Sequence, residues 1–255
     1  MIKSGICSVT FRAKTVEEVV ELTSKAGLKG IEWGADTHVP VGDLKNAERV
    51  GQLTRDAGLS VASYGSYLFT YDKAGDAPGD CKELVETAAA LGAPVIRIWA
   101  GAFDLEKTPE YFNLVVQHSQ RLADIAQDAG IRIAYEFHRY TFTETLDGTL
   151  KLLDAVDHPN IYTYWQPQFG ASLDEHLQQI DALKEKLIHL HVFHWDNPPE
   201  FTQYPLADGE SYWPTCFSAA DEDDTERFAM LEFVRNGDPE QFFADAATLK
   251  KWLES

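Results

Sequence analysis

Apolar residues gather along this chain in short runs, separated by longer stretches with helical spacing. Four segments, "SKAGLKGIEW", "RDAGLSVASYG", "AALGAPVIRIW" and "QDAGIRIAYEF", share one order: the end of a polar–apolar helical stretch, a glycine, then a short apolar run. The glycines, Gly27, Gly58, Gly92 and Gly130, stand 31, 34 and 38 residues apart, the length of one strand–helix unit. Glycine suits the left-handed residue that ends a helix, so each is expected to close a helix and release the chain into a strand. Weaker copies follow. "DHPNIYTYWQP" carries proline and asparagine in place of glycine, while "KEKLIHLHVF" and "ERFAMLEFV" are apolar runs entered from charged segments.

The pattern predicts eight strands, near residues 4–9, 29–33, 60–64, 94–99, 131–137, 160–166, 187–193 and 228–234. Helical spacing lies between most of them, as in "TVEEVVELTSKA", "KELVETAAAL", "YFNLVVQHSQRLADIAQDA" and "LDEHLQQIDALKEK", and "DPEQFFADAATLKKWLE" is a final helix. Strand and helix alternating eight times indicate an α/β fold with a parallel sheet. Within 255 residues that favours closure into a single (β/α)8 TIM barrel domain spanning 1–255. An open doubly wound sheet is the competing architecture, but it usually carries a glycine-rich phosphate loop after its first strand, and "GICSVTFRAKT" has none. One connection breaks the rhythm. Residues 195–225 hold four prolines, no clear helical period and the aromatics Trp195, Phe201, Tyr204, Tyr212, Trp213 and Phe217. Long loops in compact domains are often lids or binding loops, and the aromatic content points the same way.

Charge narrows the field of partners. The chain carries 41 acidic and 22 basic residues, a formal charge of −19. A nucleic-acid backbone would be repelled unless basic residues clustered, and the longest basic cluster is the pair Lys250–Lys251. No nucleic-acid or membrane partner is expected: no apolar run reaches the roughly 18 residues of a membrane span, and a strand-like segment begins at once, without a secretory leader. Cys7, Cys81 and Cys216 are odd in number and widely spaced, which predicts three reduced thiols in a cytoplasmic protein.

Chemistry enters where the strands end, since active sites of such barrels form at the carboxyl ends of the strands. Side chains alternate along a strand, so Ala134, Glu136 and His138 share one face of the fifth, and Ile133, Tyr135 and Phe137 the other. His189 and His191 share a face of the seventh. In the eighth Glu232 lies opposite Leu231 and Phe233, in the sixth Gln166 precedes Pro167, and Glu32 ends the second with His38 just beyond. Singly these have plain structural readings: His189 as a hydrogen-bonded core residue, Glu32 as an ion-pair partner of Arg97, His38 and His194 as loop residues. Together Glu136, His191 and Glu232 fall at one end of three strands among apolar neighbours. Converging carboxylates repel unless a cation or a shared proton intervenes, and a divalent metal with oxygen and imidazole ligands satisfies that need.

At these residues the sequence resembles the xylose isomerase-like TIM-barrel superfamily, through "GIEWG", "AYEFH", "HLHVFHW" and "LEFV". The resemblance runs along the whole chain. It implies one divalent metal, Mn, Mg or Zn, held by Glu from strand five, Asp from strand six, His from strand seven and Glu from strand eight. Glu136, His191 and Glu232 match. Gln166 stands at the aspartate's place, and a neutral amide there implies weaker metal binding. The implied function is a metal-assisted isomerase or epimerase acting on a sugar, sugar phosphate or polyol ketone by proton transfer beside a carbonyl. An inosose-type dehydratase begins with the same step. Glu136 and Glu232 are the expected acid–base groups as well as ligands, and Glu32, His38, Arg97, His138, His194 and Trp195 the expected substrate contacts. Trp33 and Trp99 could join Trp195 in stacking on sugar C–H faces, with core packing the alternative for all three. The superfamily's endonuclease branch needs many His and Asp ligands and a basic groove, and fits poorly. A non-catalytic carbohydrate-binding barrel stays open because of Gln166, and a homo-oligomer is compatible with the sequence.

Overall fold

The computed structural model describes residues 1–71, 81–102, 106–196, 201–222 and 225–254. Eight strands, β1 (Ile2–Cys7), β2 (Gly30–Gly34), β3 (Ser60–Phe69), β4 (Val95–Trp99), β5 (Arg132–Tyr135), β6 (Ile161–Trp165), β7 (Leu187–Val192) and β8 (Arg227–Leu231), pair in sequence order. Every pairing is parallel, and β1 pairs with β8, for example Ser4 with Ala229, which closes the barrel. Eight α-helices follow the strands: α1 (Val16–Ala26), α2 (Leu44–Asp56), α3 (Cys81–Leu91), α4 (Pro109–Asp128), α5 (Leu146–Val156), α6 (Leu173–Leu183), α7 (Trp213–Ala220) and α8 (Pro239–Leu253). This is the expected (β/α)8 barrel, with no free sheet edge.

The phasing glycines act as their spacing predicts. Gly27, Gly58, Gly92 and Gly130 all have φ between 70° and 79°, a region costly for a residue with a Cβ. The end of α5 lacks a glycine, and Asp157 takes the left-handed position instead, at φ 41°. At helix starts, Thr15 with Glu18 and Ser172 with Glu175 form reciprocal capping boxes, each satisfying backbone N–H groups that the helix leaves unpaired.

Alternation along β5 sorts its side chains as expected. Ile133 and Tyr135 join the large apolar cluster between strands and helices, while Ala134 joins a smaller cluster with Val95, Tyr164, Phe228 and Met230 that includes no α-helix residue and fills the barrel interior. Several strands end before the apolar runs do. β5, β6 and β8 stop at Tyr135, Trp165 and Leu231. Glu136, Gln166 and Glu232 are therefore each the first residue beyond a strand, still anchored where Glu136 N–H donates to the Ile98 carbonyl (2.9 Å) and Glu232 N–H to that of Val192 (3.0 Å).

The segment 195–225 is more regular than its sequence implies, although residues 197–200 and 223–224 lie outside the described residues. It contains a short turn of helix at Leu206–Gly209 and the helix α7. Eight residues reading "WPTCFSAA" are too short and too uniformly apolar to show a period. Trp213 and Phe217 are buried core residues, and the Tyr212 hydroxyl hydrogen-bonds His176 Nδ1 at 2.7 Å, so these aromatics serve packing rather than a binding surface. All three cysteines are buried. Among the described residues no helix is long and apolar enough to cross a membrane.

Candidate active site

Where β4 to β8 end, a cavity of about 380 Å³ opens, lined by Glu136, Gln166 and Glu232 together with Arg97, Trp99 and His138. His191 is fully buried beside three of them. The Nδ1 of His191 lies 3.2 Å from Gln166 Oε1, 3.5 Å from a Glu136 oxygen and 3.4 Å from a Glu232 oxygen. The four residues singled out from separate strands thus converge on one imidazole nitrogen.

The other face of that imidazole meets a second buried layer. His191 Nε2 is 3.4 Å from Glu32 Oε1, without the geometry of a hydrogen bond. Ser63 Oγ donates to Glu32 Oε2 (2.7 Å) and Arg97 Nε to Glu32 Oε1 (3.1 Å). Arg97 Nη1 also donates to Glu136 Oε2, which accepts a further bond from Trp99 Nε1 at 2.6 Å. Room for this arginine comes from a glycine: a Cβ at Gly65 would fall 2.8 Å from Arg97 Nη2 and 3.0 Å from Glu32 Oε1. Part of the charge that lets Glu136 be buried is therefore supplied by the chain itself.

Electrostatics follow from this layout. Burial pushes the Glu32 carboxyl up, but Arg97 and His191 beside it outweigh burial and hold it at about 2. Glu136 is likewise held well below the ordinary carboxylate range, burial being overcome chiefly by Arg97. Burial disfavours a charged His191, yet the carboxylates of Glu232 and Glu32 beside it favour the imidazolium and raise its affinity for a proton. The Cys7 thiol, pushed by burial up to about 12, stays protonated.

Among the described residues two groups of side chains bring potential ligand atoms within 4.8 Å of one another: Glu136, His191 and Glu232, and Cys7, Glu32 and His191. The first fits a divalent cation. Its carboxylates crowd an imidazole that otherwise recruits a proton, and Gln166 adds a neutral oxygen, giving the oxygen–nitrogen set that Mg²⁺, Mn²⁺ or Zn²⁺ accepts. The second fits poorly, because its carboxylate is already bonded to Arg97 and Ser63.

Of the expected substrate contacts, Arg97, His138 and Trp195 line the cavity. His138 Nδ1 is 2.7 Å from the Arg139 carbonyl, so Nδ1 carries the proton in the neutral ring and Nε2 is the acceptor. The other three sit elsewhere. Glu32 lies beneath the cavity behind Arg97. His38 is buried, with Nδ1 3.1 Å from Ser8 Oγ and Nε2 3.1 Å from the Lys14 carbonyl, and ties the loop after β2 to the segment after β1. His194 packs at a tilt against Tyr204, ring centroids 5.7 Å apart, outside the cavity lining. Trp33 is fully buried and donates to Thr54 Oγ1 (3.1 Å), which rules it out for stacking.

The cavity also uses residues that strand-end reasoning passed over: Arg12, Tyr67, Arg139, Phe169 and Phe233. Tyr67 escaped notice because β3 runs on to Phe69, five residues beyond its apolar core. Arg12 and Arg139 lie in loops just past strand ends, where the rule that selected His38 would have found them. Tyr67 and Phe233 hold φ of 57° and 55°, and Tyr140 and Phe201 nearby hold 67° and 46°. Bulky residues seldom adopt this conformation, and such strain gathers at functional sites.

The chain is 25% identical over 174 residues to a 3-dehydroshikimate dehydratase of Bacillus anthracis, covering 63% of this chain and 60% of that protein. It spans about 60% of the length of the curated relatives it matches. Among solved structures, the probable 3-DHS dehydratase AsbF of Bacillus anthracis superposes with a TM-score of 0.79 at 19% identity, over 98% of this chain and 99% of that one. A D-psicose 3-epimerase crystallised with D-fructose superposes with a TM-score of 0.76 at 17% identity, over the whole of both chains. The model of one family, the xylose isomerase-like TIM barrel, matches residues 20–253, and this chain belongs to that family.

Proposed function

We propose that this protein removes a proton from the carbon beside the carbonyl of a small polyhydroxylated ketone, and that loss of a neighbouring hydroxyl as water completes the reaction. The observation that carries the reading is the convergence of Glu136, Glu232 and Gln166 on His191 Nδ1 inside the cavity. Proton abstraction beside a carbonyl needs a carboxylate or imidazole base within about 3 Å of the hydrogen and an electrophile on the oxygen. Glu136, His191, Glu232 and Gln166 would hold a divalent cation, which when bound supplies charge to polarise the carbonyl and to stabilise an enolate.

The two glutamates are not equivalent as bases. Glu136 is fixed by Arg97 and Trp99, and its depressed proton affinity makes it a weak base. Glu232 has an ion-pair partner only in His191 among the described residues. It is the group we assign to take the proton. His138, with Nε2 as its acceptor, orients a substrate hydroxyl. Epimerisation by proton transfer across two faces would require a second available base, so a single one favours dehydration. A 3-dehydroshikimate dehydratase among the relatives supports the same outcome. Isomerisation, which returns the proton to the adjacent carbon, shares the first step and is the alternative.

The test is incubation in deuterated water with ketoses, inososes and 3-dehydroshikimate, followed by NMR, with and without EDTA. Solvent deuterium at the carbon beside the carbonyl, with loss of water and suppression by EDTA, is the expected result. A rearranged ketose or aldose would select isomerisation. Tight sugar binding with no exchange on any substrate would contradict the proposal and mark a binding barrel.

A further inference from the structure

Charges in the cavity are unevenly matched. Four cationic or imidazole groups line it: Arg12, Arg97, His138 and Arg139. Arg97 is bound by Glu32 and Glu136, and Arg12 by Asp36 at 2.5 Å with Tyr67 Oη at 2.9 Å. Arg139 differs. No carboxylate pairs with it among the described residues, and its guanidinium rests on the ring of Phe201, 4.5 Å from the centroid. The one acidic lining residue outside the His191 cluster, Glu144, is engaged by Lys107 at 3.0 Å. In a chain of charge −19, with acidic residues in nearly twofold excess, a half-buried arginine on a cavity wall with no acidic partner among the described residues carries a physical cost.

Stacking fixes the plane of the guanidinium while leaving its in-plane N–H groups as donors, the arrangement suited to a planar bidentate acceptor. A second orphan lies on the same wall. Trp195 Nε1–H is buried and has no partner among the described residues, and Phe169 bridges the two, 5.4 Å from Phe201 and 6.4 Å from Trp195 between ring centroids. A neutral sugar would leave Arg139 uncompensated. We infer that the substrate carries an anionic oxygen group, a carboxylate or a phosphate, which Arg139 receives, with Trp195 Nε1 as an additional donor. The inference rests on this cavity being the substrate site. It limits the polyhydroxylated ketones considered above to those that are also acids or phosphate esters.

The test measures binding rather than turnover, so it stands or falls separately from the hydrogen-exchange result. The probes are 3,4-dihydroxybenzoate and 3,4-dihydroxybenzyl alcohol, which differ only in the anionic group, titrated calorimetrically into the full chain and into Arg139→Gln. Charge-assisted hydrogen bonds contribute about 1.5–3 kcal/mol, so the acid is expected to bind roughly 10–100-fold more tightly than the alcohol, and Arg139→Gln to erase that preference while leaving the alcohol's affinity unchanged. Inorganic phosphate as competitor separates the two sources of anion. Displacement of the acid at equal or lower concentration assigns a phosphate ester, and weak displacement assigns a carboxylate. Equal affinity for acid and alcohol, a preference that survives Arg139→Gln, or no saturable binding of the acid at millimolar concentration would overturn the inference.

Discussion

The ends of β5 and β8 present the same residue type in the same position, the first beyond the strand, and use it differently. Glu136 is met by Arg97, by Trp99 Nε1 at 2.6 Å and by His191. Its side chain is 4% exposed. Among the described residues Glu232 has an ion-pair partner only in His191, at 3.4 Å, and it is 11% exposed at the cavity wall. Two carboxylates that look interchangeable in a strand-end pattern therefore divide into a locked anion and an available one. Position on the barrel sets where a carboxylate lies, and its donors set what it can do.

The contrast can be broken most severely at Arg97. Arg97→Gln leaves Glu32 and Glu136 buried without their counter-charge, and removing one partner of a buried pair costs about 3–5 kcal/mol. Urea unfolding should show a midpoint lowered accordingly, and an unchanged midpoint would mean that the two carboxylates find their charge elsewhere. Next in size, Glu136→Gln should destabilise by about 1–3 kcal/mol, since it strands charged and indole donors, whereas Glu232→Gln should be close to neutral. Equal effects of the two would erase the distinction between the sites.

Metal affinity sharpens the comparison from the ligand side. Gln166→Asp adds a negative charge beside His191 Nδ1, and Mn²⁺ binding by calorimetry should tighten by about tenfold, roughly 1.4 kcal/mol. Equal or weaker binding would remove Gln166 from the ligand set. The smallest effect is in acid stability. Glu32 and Glu136 have folded-state proton affinities depressed below those of the unfolded chain. Such groups contribute stability that is present above the unfolded carboxylate value and is lost as pH falls through the folded one. Thermal midpoints should thus decline from about pH 4.5 toward about pH 2, where Glu32 takes its proton. Arg97→Gln should flatten that decline, and an equally steep one in the variant would assign it to other groups.

How much of this was legible in the sequence depended on the range of the interaction. The glycine phasing is local, and all four left-handed caps and the barrel order follow from it. Glu136, Gln166, His191 and Glu232 were legible because strand ends are marked by the halt of an apolar run. Glu32 was placed correctly on its strand and its pairing with Arg97 was one of its two readings, but its depth was hidden, because the Ser63 that also holds it comes from another strand. His38 and His194 looked like site residues by proximity to strand ends, and only the loop paths decide that one binds Ser8 and Lys14 and the other packs against Tyr204. The helix α7 was hidden by its own composition, and Tyr67 by a strand that outlasts its apolar core.

The most direct measurement is the rate at which substrate hydrogen beside the carbonyl exchanges with deuterated water, followed by NMR for the wild type and for Glu232→Gln. With Glu232 as the base, the variant keeps its fold by circular dichroism and loses exchange by roughly 10²–10⁴-fold, the usual contribution of a positioned proton-transfer group. Exchange undiminished in a folded Glu232→Gln would contradict the account at its centre, because the carboxylate left available at the end of β8 would then have no part in moving the proton.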